Sequence, residues 1–157
     1  MEISVNVNGK IVKDCIEPDV MLMDFLRRHG CKSVKCGCET SNCGACTVFL
    51  NDKTVLSCSV LAARANHCKV TTLEGLQEEA SELGIFIAQQ GAEQCGFCNP
   101  GYMINILALL RENANPTDLE IKEYLAGNLC RCSGYDGQLR GIKEFIQWRD
   151  SKRSEQS

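Results

Sequence analysis

Apolar and polar positions alternate through the opening residues, MEISVNVNG, in the two-residue period of a strand. A second extended run, Lys10 to Cys15, follows Asn8-Gly9, a dipeptide that supplies positive φ in a tight hairpin. Past Pro18-Asp19 the period lengthens: Val20 to His29 places Met21, Leu22, Phe25 and Leu26 on one helical face, and Gly30 is positioned to close that helix. Extended segments return at Thr47 to Leu50 and Lys53 to Leu56 around a turn at Asn51-Asp52. A short helical piece around Leu61 to Ala65 and a strand near Lys69 to Thr72 follow. The pattern predicts a small sheet grasping one helix.

From Glu78 onward the alternation gives way to helical periods at Glu79 to Gln90, Gly101 to Glu112, Thr117 to Ala126 and Gln138 to Asp150. Pro100 suits the first turn of the second of these helices. Thr117 with Glu120 forms a capping-box signature, and Gly127 suits the C′ position after the third. The change of period predicts an α+β chain of two small domains, residues 1–75 and 76–157, with the boundary within 73–80.

Composition narrows the function more than the fold. A chain of 157 residues with 44% hydrophobic and 24% charged residues has an ordinary globular balance. Seventeen basic against twenty acidic residues give a net charge of -3, and no basic run occurs apart from a short tail. Nucleic acid and anionic membranes are therefore not expected partners. No apolar run is long enough to span a bilayer, and the amino terminus lacks the basic and apolar regions of a secretion signal, so a cytoplasmic location is expected. Twelve cysteines in such a chain point to metal or redox chemistry rather than to a disulfide framework.

Cys38, Cys43, Cys46 and the more distant Cys58 have the C-x4-C-x2-C plus Cys spacing of a plant-type [2Fe-2S] site, which makes electron transfer the first functional expectation. A thiolate-bound cluster is anionic, so its loop must gather sulfurs while aiming backbone N–H groups at them. Gly44 and Ala45 leave room for that, and the predicted hairpin returns Cys58 to the loop. In the helical half, Cys95 and Cys98 precede one helix while Cys130 and Cys132 follow another, so two loops can converge on one metal. Spacing alone leaves zinc open as the alternative, more so at the second set, because four thiolates also hold a closed tetrahedral ion. A metal staple suits halves of about 75 residues, whose apolar cores contribute little net stability.

The runs SVKCGCETSNCGACTV, QCGFCNPGYM and GNLCRCSGY, in that order and with Cys58 between the first two, closely resemble the iron-sulfur portion of the molybdenum hydroxylase family. That family includes xanthine dehydrogenases, aldehyde oxidoreductases, nicotinate dehydrogenase and aerobic carbon monoxide dehydrogenase. The resemblance spans nearly the whole chain. It implies a β-grasp, plant-type ferredoxin-like domain followed by an all-α four-helix-bundle domain, each holding one [2Fe-2S] cluster.

By the same resemblance, Cys38, Cys43, Cys46 and Cys58 are ligands of the cluster nearer a flavin. Cys95, Cys98, Cys130 and Cys132 are ligands of the cluster nearer the molybdenum cofactor, and Gln94 contacts that cofactor's pterin. The chain departs from the family pattern at Ser133, where Thr is common, at Gln138, where an apolar residue is usual, and at Cys36, which replaces a non-cysteine. Cys36 is thus a competitor for the place of Cys38. Cys15, Cys31, Cys36 and Cys68 are otherwise spare and are expected to be small buried hydrophobes.

No G-x-G-x-x-G or phosphate loop is present, and the two histidines, His29 and His67, lie in no triad or metal arrangement, so substrate chemistry is expected elsewhere. The resemblance implies a separate small subunit of a hetero-oligomer. Its partners would be a large molybdopterin-binding subunit and a medium FAD-binding one. Single electrons would pass from molybdenum through the two clusters to flavin, with a purine of the xanthine type as the preferred substrate. Nicotinate, another N-heterocycle, an aldehyde or carbon monoxide are the other substrates considered. A free-standing two-cluster ferredoxin is the alternative function.

Overall fold

In the computed structural model, which describes residues 1–155, strands and helices follow the predicted order. Strands β1 (Glu2–Val7) and β2 (Lys10–Cys15) form an antiparallel hairpin. Asn8 and Gly9 both take positive φ, 51° and 84°, so the turn twists with its strands. Helix α1 (Leu22–Arg28) crosses to a second hairpin, β3 (Thr47–Leu50) and β4 (Lys53–Leu56), whose turn residues Asn51 and Asp52 are also left-handed. Strand β5 (Lys69–Thr71) then enters the middle of the sheet, parallel to β1 and antiparallel to β3, giving the order β2-β1-β5-β3-β4. Ile3, Val5, Val7, Val48 and Val70 close over Leu22, Phe25 and Leu26 of α1. The sheet thus grasps one helix, as the alternation predicts.

The first helix is shorter than its apolar period. Val20 and Met21 stay extended because Met21 bridges Leu61, and the Leu22 N–H donates to the Val60 carbonyl. Tertiary pairing there overrides helical propensity. Gly30 does close the helix, at φ 91°.

Four helices make up the rest: α2 (Gln77–Gln89), α3 (Asn99–Glu112), α4 (Asp118–Tyr124) and α5 (Asp136–Glu155). Helix α3 carries the heart of this half, with Tyr102 through Ile104 and Ile106 through Leu109 buried, and it packs against β3, α2 and α4. Pro100 occupies its first turn, and Thr117 and Glu120 make a reciprocal capping box at α4. Gly127 is not the C′ residue expected of it. Helix α4 ends earlier, at Tyr124 with Leu125 as its cap, and Gly127 lacks the positive φ of that role.

The two halves are not independent cores. Phe49 of β3 points away from α1 and joins the helical cluster, where the Arg111 guanidinium lies 4.8 Å from its ring centroid. Glu74 binds the connecting segment from the other side, its carboxylate accepting hydrogen bonds from the Ser33 N–H, the Ser33 hydroxyl and the Thr72 hydroxyl. Thr72 is in turn fixed by Asn8 in the first hairpin turn, whose amide donates to its hydroxyl and whose carbonyl accepts its N–H, both at 2.9 Å. One carboxylate thereby ties the first hairpin, the approach to the cysteine loop and the start of the helical half together.

Replacing Glu74 by Ala leaves the Ser33 amide without its acceptor and is expected to lower the unfolding free energy by about 2 kcal/mol at pH 7, read by circular dichroism during urea unfolding. Burial pushes the Glu74 carboxyl up, but the Ser33 and Thr72 hydrogen bonds outweigh it and hold the folded group below its usual 4.5. Its contribution is therefore present above the unfolded value and lost as pH falls through the folded one. Across that acid window the wild-type chain is expected to lose stability more steeply than Glu74→Ala.

Candidate metal centres

The first four thiols lie where β3 and β4 meet the loop that follows α1. Cys46 immediately precedes β3 and is buried, and Cys58 sits in the turn after β4, so the hairpin returns one beside the other. Cys38 and Cys43 pair in the same way at the outer part of the loop. The second four form two further pairs. Cys95 and Cys132 approach to 3.7 Å between sulfurs, and Cys98, the residue before α3, meets Cys130.

Each set of four therefore divides into two pairs, and in every pair one thiol is made more acidic while the other is made less so. Backbone N–H groups of Asn42 and Thr40 bring Cys38 down to about 6, whereas burial pushes Cys43 up. Burial and Cys58 push Cys46 up to about 11. Cys58 itself is lowered despite burial, with the Ser41 hydroxyl 3.6 Å away and Cys46 as its partners. Burial holds Cys98 at about 12. Cys130 resists burial and falls to about 7 because Ser133 and the Cys132 N–H donate to its sulfur. Cys95 is lowered by the Phe97 N–H and by Cys132, which is raised in turn.

This donor set fits a binuclear iron-sulfur centre, which takes two thiolates on each of two irons and is stabilised by N–H groups aimed at sulfur. A closed zinc site instead gathers four thiolates around one point.

The two sets share one cavity of about 460 Å³, lined by Cys38 and Cys43 from the first and by Cys95, Cys98, Cys130 and Cys132 from the second. Backbone contact brings them together. The Leu129 N–H, one residue before Cys130, donates to the Cys43 carbonyl at 2.9 Å. Gly44 adopts φ 76°, and a Cβ there would meet the Asn128 amide at 2.5 Å and the Gly127 carbonyl at 2.6 Å. A Cβ on Gly101, in the first turn of α3, would collide with the Gly44 carbonyl. The cysteine loop, the start of α3 and the 127–129 loop thus meet backbone to backbone.

Gln94 lies beside this cavity, exposed, with its Nε2 donating to the Cys132 carbonyl at 3.2 Å. It braces the Cys95 loop against the Cys130–Cys132 loop. Sequence reasoning passed over Tyr135, whose hydroxyl accepts the Cys130 N–H at 2.9 Å. It also passed over Asn128, buried and held by Asn105 at 2.7 Å, and Lys35, whose ammonium is 5.0 Å from the Phe97 centroid. Tyr135 and Asn128 stand within GNLCRCSGY, but nothing in that run announces their partners.

The spare cysteines depart from expectation. Only Cys31 is buried; Cys15 and Cys36 are exposed and Cys68 is intermediate. Cys15 ends the hairpin's edge strand, β2, where no second layer covers it. The Cys36 thiol turns back on the Cys38 carbonyl at 3.4 Å and borders a different hollow, with Arg27, Lys32 and Lys35, from the one that Cys38 lines.

A mixed sheet with a helical half, carrying eight paired thiols of which six line one cavity, defines an iron-sulfur protein with two cluster-binding regions. Residues 5–80 match the 2Fe-2S iron-sulfur cluster binding domain and residues 72–143 the [2Fe-2S] binding domain. The chain is 44% identical over 136 residues to the nicotinate dehydrogenase small FeS subunit of Eubacterium barkeri, covering 85% of this chain and 87% of that one. It is 39% identical over 144 residues to the nicotine 6-hydroxylase small subunit of Paenarthrobacter nicotinovorans, covering 90% and 87%. Among solved structures it superposes on quinoline 2-oxidoreductase from Pseudomonas putida 86 with a TM-score of 0.87 and 35% identity, over 98% of this chain and 96% of that chain. The chain belongs to the molybdenum hydroxylase iron-sulfur subunit family and is the iron-sulfur part of an oxidoreductase. Relatives also include larger proteins, such as the xanthine dehydrogenase/oxidase of Felis catus, 37% identical, of which the match covers 12%.

Gly101→Ala is expected to force α3 off the Gly44 carbonyl, lowering stability by about 1–3 kcal/mol and reducing iron retained per chain. Gly84→Ala, where the added carbon would stand 3.7 Å from Met103 Cε in open helix, is expected to raise stability by about 0.5–1 kcal/mol. Urea unfolding and iron analysis on the two variants check both signs.

Proposed function

We propose that this chain is the electron-conducting subunit of a molybdenum hydroxylase. The observation that carries the reading is the division of eight thiols into four pairs, two pairs in each set, with both sets opening on one cavity. Cys38, Cys43, Cys46 and Cys58 would hold the first [2Fe-2S] cluster, and Cys95, Cys98, Cys130 and Cys132 the second. When bound, each cluster supplies one-electron redox chemistry, which lets the chain pass electrons singly between a molybdenum cofactor and a flavin. The chain's own residues provide the thiolates, direct N–H groups at Cys38 and Cys130, and hold the two loops one hydrogen bond apart between Cys43 and Leu129.

The partners are a large subunit carrying molybdopterin and a medium subunit carrying FAD, in a cytoplasmic hetero-oligomer. Phe97, Leu129 and Tyr135 are large apolar residues exposed at 44%, 50% and 43% around the second thiol set, and they favour coverage of that end by the large subunit. Gln94, in the same place, is the pterin contact in this reading. Among the described residues no helix is long and apolar enough to cross a membrane. The domains are residues 1–75, a β-grasp ferredoxin-like unit, and 76–157, a four-helix bundle, of which residues 156 and 157 lie outside the described residues.

Nicotinate, xanthine, nicotine and quinoline, all nitrogen heterocycles, occur in the names of related proteins, and aldehyde in the names of others. We assign the assembled enzyme to oxidation of such a ring. The purine preferred from the sequence is one member of that class.

The test is spin-counted electron paramagnetic resonance of the anaerobically purified, dithionite-reduced chain, with iron and sulfide analysis. Two distinguishable [2Fe-2S] signals are expected, with Cys43→Ala removing one and Cys95→Ala the other. Zinc in place of iron, with no reducible centre, overturns the reading.

A further inference from the structure

Lys35 is fastened to both thiol-bearing regions at once. Its backbone N–H donates to the Ala45 carbonyl at 3.2 Å, between Cys43 and Cys46 of the first set. Its ammonium reaches the Gly96 carbonyl at 3.4 Å, between Cys95 and Cys98 of the second set, and lies 5.0 Å from the Phe97 ring centroid. The face of an aromatic ring and a carbonyl oxygen both attract a cation, and together they give this one a defined seat.

Phe97 places that seat at the edge of the thiol region. A Cβ built on Gly37 would stand 3.2 Å from Phe97 Cε1 and 3.1 Å from Cys43 Sγ, so the ring borders the first set. The Phe97 N–H supports the Cys95 sulfur of the second. The same residue lines the thiol cavity and also a neighbouring hollow that it shares with Asp24, Arg27, Lys32 and Lys35. The ammonium therefore lies behind the ring that adjoins both sets. Its charge is not cancelled by an ion pair: Asp24 is the single carboxylate bordering the hollow, and among the described residues no carboxylate is in ion-pair contact with Lys35. The other two cations there point elsewhere, Arg27 to the Val34 carbonyl at 2.6 Å and Lys32 to the Arg27 carbonyl at 3.3 Å.

We propose that the Lys35 ammonium raises the potentials of both clusters, acting as a shared positive charge and not as a ligand. This rests on the assignment of the eight thiols to two [2Fe-2S] clusters. Reduction adds one electron to a cluster that is already anionic, so a cation held nearby favours the reduced form. Coulomb attraction falls only as the first power of distance, so contact with sulfur is not required. Because Lys35 is tied to both loops, it moves both potentials together. The pair becomes a better electron acceptor while the step between the two clusters stays nearly level.

A redox titration of the full chain, purified anaerobically and followed by electron paramagnetic resonance, tests this with a charge series at one site: wild type, Lys35→Arg, Lys35→Gln and Lys35→Glu. Glutamine keeps an N–H donor for the Gly96 carbonyl, so the loops are expected to stay joined and to retain their iron. Lys35→Gln is expected to shift both signals toward the oxidised state by about threefold to tenfold in their reduction equilibria, Lys35→Glu by about the square of that factor, and Lys35→Arg hardly at all. Lys32→Glu, which reverses a charge in the same hollow that is not seated on Phe97, is expected to shift them less than Lys35→Glu does. Potentials that do not follow the charge at residue 35, a shift confined to one signal, or an equal response to Lys32→Glu overturns the proposal. A wild-type chain without two [2Fe-2S] signals overturns instead the cluster assignment beneath it.

Discussion

The close approach of three backbones, at Gly44, Gly101 and Gly127 to Leu129, is the constraint on which the rest of the structure depends. Two of these segments carry or adjoin thiols of different sets, and the third starts the helix capped by Cys98. Side chains at Gly44 or Gly101 would hold the segments apart, because the atoms they meet are mainly neighbouring backbone. The sheet and the helical half are thus locked through peptide groups rather than through interchangeable apolar packing, and peptide groups tolerate little displacement.

That lock explains why the thiol environments are uneven. Cys98 and Cys46 sit on the protein side of their loops, where burial raises them, while Cys38 and Cys95 sit on the outer side and are lowered by backbone N–H groups. Inner thiols are thereby held by packing and outer ones by electrostatic support.

Much of the architecture was legible in advance. The first four strands coincide with their predicted ranges, since alternation, the Asn-Gly turn and β-branched residues act locally. Helix ends were less legible. Met21 was given to α1 by its apolar period and taken from it by pairing with Leu61, and α4 ended before Gly127 could serve as its C′ residue. Phe49 looked like one more strand residue, yet it packs into the other half, because a strand shows which residues share a face but not what covers each face. At the first thiol set the spacing already pointed to a [2Fe-2S] site, whereas at the second it left zinc open, and it is the match of residues 72–143 to the [2Fe-2S] binding domain that favours iron there.

By itself the sequence determined the order of strands and helices, the separation into a β-rich and a helical half, and the spacing of eight cysteines as candidate donors. These follow from backbone preference, periodicity and ligand type, all of which act within a few residues. Only the tertiary structure decided which thiols face each other, that both sets open on one cavity, that Cys36 looks elsewhere, and that the Gln138 amide is buried without a partner. Those outcomes depend on contacts between segments far apart in the chain, where packing and desolvation, not local propensity, choose the neighbour.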